Sequence, residues 1–386
     1  MVLAALFDEL CSGVTGFASP DIQRTFQVTY GQATGWLLAA FMVTSVVLEP
    51  PLLLLADRWP RRPMMVVGVL GMAGCCVAAG FAPSYAWLVA SLVLLGPSIG
   101  LATGVAQASL MDAHADNRSR MMTRWTLAAG VGDLMTPALF VGLVKLGFGW
   151  RETFLTCGGL LLVYAIFVAA SAMPAPPGDS ADEDEEPGLL EALTTALQNR
   201  ALLRWTAACV VCLLLDETLI AFGALHLRDH LGADEALRSV ILSTFLVGGI
   251  LGLLVADALL ARVDAMRVLL GESVVCCVAY AGWLHADTAL LSSVTMFFAG
   301  FSAAALYPIA KAQAYMALPG KSGAVAAVAS LFTVVEIVLP LGLAWVADTL
   351  GLLTALTMLG FQPAFFLVVA VVLVVRRSAV VPRKAG

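Results

Sequence analysis

The chain reads as an all-α membrane protein of twelve transmembrane helices in two pseudo-symmetric six-helix bundles, and three observations predict this. Of its 386 residues 60% are hydrophobic and 12% charged, with a mean hydropathy of +0.92, whereas charged residues make up about 25% of soluble domains. The apolar residues fall into twelve runs, each of the roughly 17 to 25 residues that a bilayer core requires. A stretch rich in Pro, Gly and acid, PAPPGDSADEDEEPG from Pro174 to Gly188, divides those runs six and six.

In chain order, the first six helices are expected at about 2–19, 34–55, 64–82, 85–110, 124–146 and 152–172. Six more follow at about 201–226, 238–261, 265–284, 288–315, 322–347 and 350–375. The predicted organisation is an N-terminal bundle over 1–173, an acidic linker over 174–200, a C-terminal bundle over 201–377 and a tail over 378–386. The linker composition cannot support a packed core. Its stretch Pro174 to Gly188 also explains the net charge of -6, because six acids lie there and the other 21 balance the 21 Lys and Arg. The membrane body is therefore neutral, and no basic patch points to nucleic acid. Seven residues precede Asp8, none of them basic, so no cleavable signal peptide is expected.

The second helix ends in LLLLADRWPRR, where an aliphatic run stops at Asp57 and Arg58, Arg61 and Arg62 follow. Pro60 and Pro63 forbid one continuous helix, so two membrane helices meet in a cationic turn. Placing that turn inside the cell puts sixteen Lys and Arg on its side and five on the other. The excess of inside positive charge sets the topology, with both termini and the linker cytoplasmic in the inner membrane.

The two halves repeat one another. Phe7-Asp8-Glu9 answers Leu215-Asp216-Glu217, Ala56-Asp57 answers Ala256-Asp257, and Cys75-Cys76 answers Cys276-Cys277. Ala106-Gln107-Ala108 answers Ala312-Gln313-Ala314, and Asp133 lies four residues before Pro137 as Glu336 lies four before Pro340. Five matches in the same order are the mark of an internally duplicated transporter.

With these residues in view the chain resembles the major facilitator superfamily over essentially its whole length. Asp57, Arg58, Arg61 and Arg62 match that family's signature between helices 2 and 3, with Leu53 and Pro60 where it has glycines, and Asp257 and Arg262 form a worn second copy. Gly149-Trp150-Arg151 with Phe154, and Asp8 with Pro20 and Ile22 bounding helix 1, resemble stretches of its drug-exporting members. Helix 4 carries no Arg, and Gly132, Asp133, Thr136, Pro137 and Gly142 match the exporters' helix 5 only in part. The resemblance implies that Asp57 faces the start of helix 11 and that an Arg of the turn pairs with Asp112 at the end of helix 4. These residues would gate the transporter. A carboxylate against a helix N-terminus is physically favourable.

An acid inside a membrane helix costs roughly 2.5 to 3.5 kcal/mol on insertion scales, so it faces a cavity or a partner. Alternate exposure and enclosure lets it take and release protons. Asp133 and Glu336 are the first candidates for coupling or substrate contact; the alternative is that each satisfies backbone freed by its proline. Asp8 and Glu9, with Asp216 and Glu217, come next, and since neighbours on a helix point about 100° apart only one of each pair faces a cavity squarely. The resemblance favours Asp8 and Asp216. Glu49 before Pro50 and Pro51 is a cavity acid or an Arg partner, and Pro50 and Pro51 are expected to kink the helix. Lys311 pairs with an acid or snorkels to the headgroups. Gln107 and Gln313 bind substrate or bond helix to helix. Trp36, Phe41, Phe140, Phe222, Phe245, Phe301 and Phe332 are expected to supply apolar cavity wall.

Eight cysteines lie inside spans and give no disulfide framework. Cys209 and Cys212 lack a second ligand pair, and His226 with His230 is too little for a metal site, so neither metal nor cofactor is expected. No phosphate-binding loop and no nucleophile with a base at diagnostic spacing appears, which argues against an ATP-driven pump and against an enzyme. The expected function is secondary transport of a small, amphipathic molecule, with proton-coupled export first. Uptake of a metabolite and lysolipid transport share the fold and stay open, while a sensor or scaffold would need no polar cavity. The expected partners are the substrate, protons and the bilayer, with the protein a monomer.

Overall fold

A computed structural model describes residues 1–29, 32, 37–173 and 188–380; for 37–42, 213, 216, 217, 221, 235, 337 and 377–380 it describes the backbone alone. The acidic stretch 174–187 and Trp36 lie outside the described residues, as does the side chain of Phe41. The described chain is nearly all helix, and nine of its helices are long and apolar enough to cross a membrane.

In order the helices are α1 (Leu3–Ser12), α2 (Val14–Phe26), α3 (Leu37–Leu55), α4 (Arg61–Gly80), α5 (Tyr85–Ala113), α6 (Arg118–Lys145) and α7 (Trp150–Ala170). A short α8 (Leu189–Gln198) precedes α9 (Arg200–Leu213), a π-helical turn Leu214–Thr218, α10 (Leu219–Leu231), α11 (Glu235–Leu260) and α12 (Ala265–Leu284). Then come α13 (Ala289–Ala303), α14 (Leu306–Ala317), α15 (Ser322–Leu350), α16 (Leu352–Leu359) and α17 (Phe361–Val380). Joined end to end where they are merely interrupted, these segments make twelve spans among the described residues. The first is α1 with α2, the seventh α9 with α10, the tenth α13 with α14, and the twelfth α16 with α17.

One sequence expectation shifts. Helix 1 runs past Pro20 and Ile22 to Phe26, because the amide lost at a proline inside a membrane helix is tolerated where neighbouring helices pack on it. The second span runs through Pro50 and Pro51 to Leu55, the end expected for it.

One compact unit comprises Met1–Asp116, Trp125–Leu203 and Tyr315–Thr333. Within it α4 packs on α5 and α7, and α3 on α5 and α8. The Gly149-Trp150-Arg151 stretch has a structural task here. Arg151 donates to the carbonyls of Gly80 at 3.2 Å and Ala82 at 2.7 Å, capping the end of α4, while its guanidinium lies 4.4 Å from the Trp150 ring. Those carbonyls have no helical partner of their own, so the arginine completes the span.

The second unit comprises Asn117–Arg124, Arg204–Ala314 and Val334–Gly386. Its closest crossing is α11 on α13, where a Cβ added at Gly252 or Gly300 would run into the backbone of Phe301 or Phe245. Small residues let membrane helices approach this closely. The crossing buries Phe245, 5% exposed, among Leu215, Ile241, Tyr280, Trp283 and Met296, so it belongs to the core and not to an open wall. Gly252→Val should therefore destabilise the fold by about 3 kcal/mol, whereas Gly271→Ala, with nothing within 4 Å of the added carbon, should stay within about 0.5 kcal/mol of wild type. Thermal unfolding in detergent reads both, and equal melting points would show that the crossing is loose.

Candidate functional site

In the first unit the acids that the sequence offers separately come together. Gly132 on α6 sits against α1, since a Cβ there would meet the Leu6 carbonyl. One turn on, the buried Thr136 hydroxyl donates into a fork between the carbonyls of Glu9 at 3.2 Å and Gly132 at 3.1 Å. That seam fixes α6 beside α1. It brings the side chains of Asp133 and Glu9 into a mutual hydrogen bond, and Asp8 lies within electrostatic reach of both Asp133 and Glu49.

Two carboxyls at hydrogen-bonding reach share a site only where one of them is neutral, so this is a place where a proton can be taken up and given back. Asp133 is the exposed member, while Asp8, Glu9 and Glu49 are partly buried. Pro137 has no amide to offer the Asp133 carbonyl, which loosens the helix at that turn. Glu49 is held by the Ser330 hydroxyl, which donates to its Oε2 at 2.8 Å. Its side chain lies over Gly100, where a Cβ would overlap it. Gln107 accepts from the Tyr315 hydroxyl at 2.8 Å, a bond from α5 to α14.

The Asp57 turn belongs to the same unit. Asp57 Oδ1 accepts from the Gly323 amide at 2.7 Å and Oδ2 from the Ala324 amide at 2.9 Å, the first turn of α15. Arg61, with no exposed side-chain surface, reaches Asp112 Oδ2 at 2.8 Å and Asp57 Oδ1 at 3.5 Å, and donates to the Ala56 carbonyl at 2.9 Å. Ser322 donates to the other oxygen of Asp112 at 2.6 Å. Burial pushes the Asp57 carboxyl above the usual aspartate range, and the two amides and Arg61 pull against that push. Arg58 is partly buried and Arg62 exposed.

The second unit holds a parallel arrangement with different chemistry. Asp257 accepts two guanidinium forks, from Arg120 at 3.0 and 3.2 Å and from Arg124 at 2.8 and 3.3 Å. The arginines are one turn apart and so share a face of α6. Arg262 lies exposed in the turn beyond α11, with its amide on the Leu259 carbonyl. Lys311 and Glu336 are partly buried, and each lies within electrostatic reach of Cys209. Gln313 is buried at 9% exposure. Asp216 and Glu217 stand on the π-helical turn Leu214–Thr218, and their side chains lie outside the described residues. His226 and His230 stack with ring centroids 5.1 Å apart, and His230 Nε2 lies 3.3 Å from Asp287.

Sequence reasoning missed Ser330, Ser322 and Tyr315 because nothing distinguishes a hydroxyl that meets a distant carboxyl or amide from one that bonds its own helix. It also missed Glu272, 6% exposed in α12, and the partners Arg120 and Arg124, which entered the reading only as positive charges.

The sequence matches the family model of the Major Facilitator Superfamily over residues 1–334. It is 31% identical over 154 residues to the multidrug resistance protein Stp of Mycobacterium tuberculosis (strain CDC 1551 / Oshkosh), a match covering 39% of this chain and 28% of that protein. It is 27% identical over 175 residues to the niacin transporter NiaP of Acinetobacter baylyi, covering 45% and 38% of the two. The chain thus spans less than half the length of these relatives. Among solved structures, the E. coli fucose:proton symporter FucP superposes with a TM-score of 0.76 at 14% identity, over 96% of this chain and 97% of the other, a likeness of fold. With the family matched over most of its length, this chain belongs to the Major Facilitator Superfamily, whose members are membrane transporters and not enzymes.

Proposed function

We propose that the protein exports a small amphipathic molecule in exchange for protons, by rocking of the six-helix bundles 1–173 and 201–377 about a site near the middle of the bilayer. The observation that carries this reading is the gathering of Glu9 and Asp133 beside one another, with Asp8 and Glu49 in reach. A proton held between two carboxyls leaves when a competing cation arrives, since the ionised pair then has a counter-charge. Four acids in one place favour a substrate that carries positive charge. Export is supported by the likeness to Stp, named for multidrug resistance. Uptake of a small metabolite is the second reading, and the likeness to NiaP, named for niacin transport, favours it. Glu336 and Lys311 would add charged contacts from the second unit, and Gln107 and Gln313 polar ones.

The Asp57 and Asp257 arrangements act as gates in this reading. Each sets an aspartate at the end of one span against the start of another. On the side of the membrane to which Asp57 belongs, here read as cytoplasmic, breaking them would favour opening. The buried Arg61 between two carboxylates is the stronger element, because removing it leaves both acids without a counter-charge.

Three measurements test this. Ethidium, an amphipathic cation, added to liposomes that hold the protein and an internal pH dye, should drive proton flux that Asp133→Asn and Glu9→Gln each lower about tenfold; wild-type flux in both variants would remove the pair from coupling. Arg61→Ala should lower unfolding stability by about 3 to 5 kcal/mol, with part recovered when Asp112→Asn is added, and simple additivity of the two would show that they are not coupled. A single cysteine introduced at Ser180 in a cysteine-free background should resist a membrane-impermeant maleimide applied from outside whole cells, and its labelling would reverse the orientation.

A further inference from the structure

Two spans of the second unit are interrupted side by side. In the seventh the break is the π-helical turn Leu214–Thr218, which carries Asp216 and Glu217. A π turn reaches back five residues and not four, so it displaces an amide from the α ladder. The Leu215 amide donates to Gln362 Oε1 at 2.8 Å, across 147 residues of sequence. In the twelfth the break lies at Gly360, whose amide turns back to the Thr357 carbonyl at 3.1 Å. That leaves the Leu356 carbonyl outside the ladder, and the Tyr280 hydroxyl donates to it at 2.6 Å.

Both Leu215 and Gln362 have no exposed surface, and Leu214, Leu219, Leu356 and Leu359 are buried nearby. No water reaches such a place, so an amide displaced from its ladder is stable only where a side chain accepts from it. If Leu215 returned to the α ladder, the register of the turn would slip by one residue and swing the acidic pair by about 100°. Gln362 Nε2 has no hydrogen-bond partner among the described residues. The glutamine is therefore only half satisfied, which fits a group kept for its acceptor and not for general packing.

We infer that Gln362 is a positioning residue: it holds the π turn of the seventh span, and through that turn fixes the backbone register at Asp216 and Glu217 during transport. The inference rests on the reading that the acids of this span serve transport, and the two can fail separately. Sequence repetition gives no hint of Gln362, which has no partner in the first half.

The test compares wild type with Gln362→Met, which keeps length and loses the acceptor, and Gln362→Glu, which keeps an acceptor oxygen at the same reach. All are full chains in detergent, read by hydrogen exchange over 211–220. Gln362→Met should exchange about tenfold faster there, with the 265–284 segment unchanged as a check on folding. Gln362→Glu should return to the wild-type rate at about pH 6. In liposomes with ethidium as the probe, Gln362→Met should lower maximal proton flux about tenfold at unchanged half-saturation. Unchanged exchange in Gln362→Met overturns the positioning role whatever the flux does. Faster exchange with wild-type flux overturns the transport role of the acidic turn.

Discussion

In a bilayer core no water completes a broken hydrogen bond, so each interruption of these helices has to carry its own donor or acceptor. The molecule meets that requirement with side chains from distant sequence. Arg151 closes the end of α4 on the Gly80 and Ala82 carbonyls. Tyr280 serves the Leu356 carbonyl and Gln362 the Leu215 amide. Thr136 forks between α1 and α6 beside Pro137. Helix ends and breaks thus become the places where helices are tied together, and the polar groups of the candidate site stand one residue or one turn from those ties.

The same constraint orders the charges by how far they are buried. Arg61 has no exposed side-chain surface, and Asp112 has 8%. Desolvation there is costly, and it is offset only because the guanidinium meets two carboxylates and a carbonyl together. Asp257 instead faces Arg120 and Arg124 at 31% and 44% exposure, where solvent and salt screen the attraction. The first cluster sets geometry and resists disruption. The second holds its geometry less firmly, since part of the attraction is lost to solvent.

The periodicity of apolar runs carried the fold, because twelve spans and their short turns follow from length and hydropathy. The boundary near Pro20 did not follow: α2 passes it to Phe26, since neighbouring helices compensate for the lost amide. The acids of the candidate site were legible one at a time, as costly residues in lipid, and repetition marked several of them twice. Their assembly was not legible. That Asp133 meets Glu9 depends on Gly132 letting α6 approach α1, and that Glu49 meets Ser330 depends on a contact 281 residues apart. Hydroxyls gave no signal, because most of those in this chain bond the carbonyl of their own preceding turn.

Repetition has a further consequence for recognition. The two halves keep matching backbone punctuation, such as Asp133 with Pro137 and Glu336 with Pro340, but they have diverged in charge. The first gathers four acids and a hydroxyl partner. The second sets both Glu336 and Lys311 within electrostatic reach of Cys209, and places Glu272 where the register of the cysteine doublets puts Gly71 in the first half. A duplicated backbone has therefore come to carry an acid-rich set of side chains in one half and a set of mixed charge in the other, because the punctuation that shapes a span constrains its charges only at the turns where they meet.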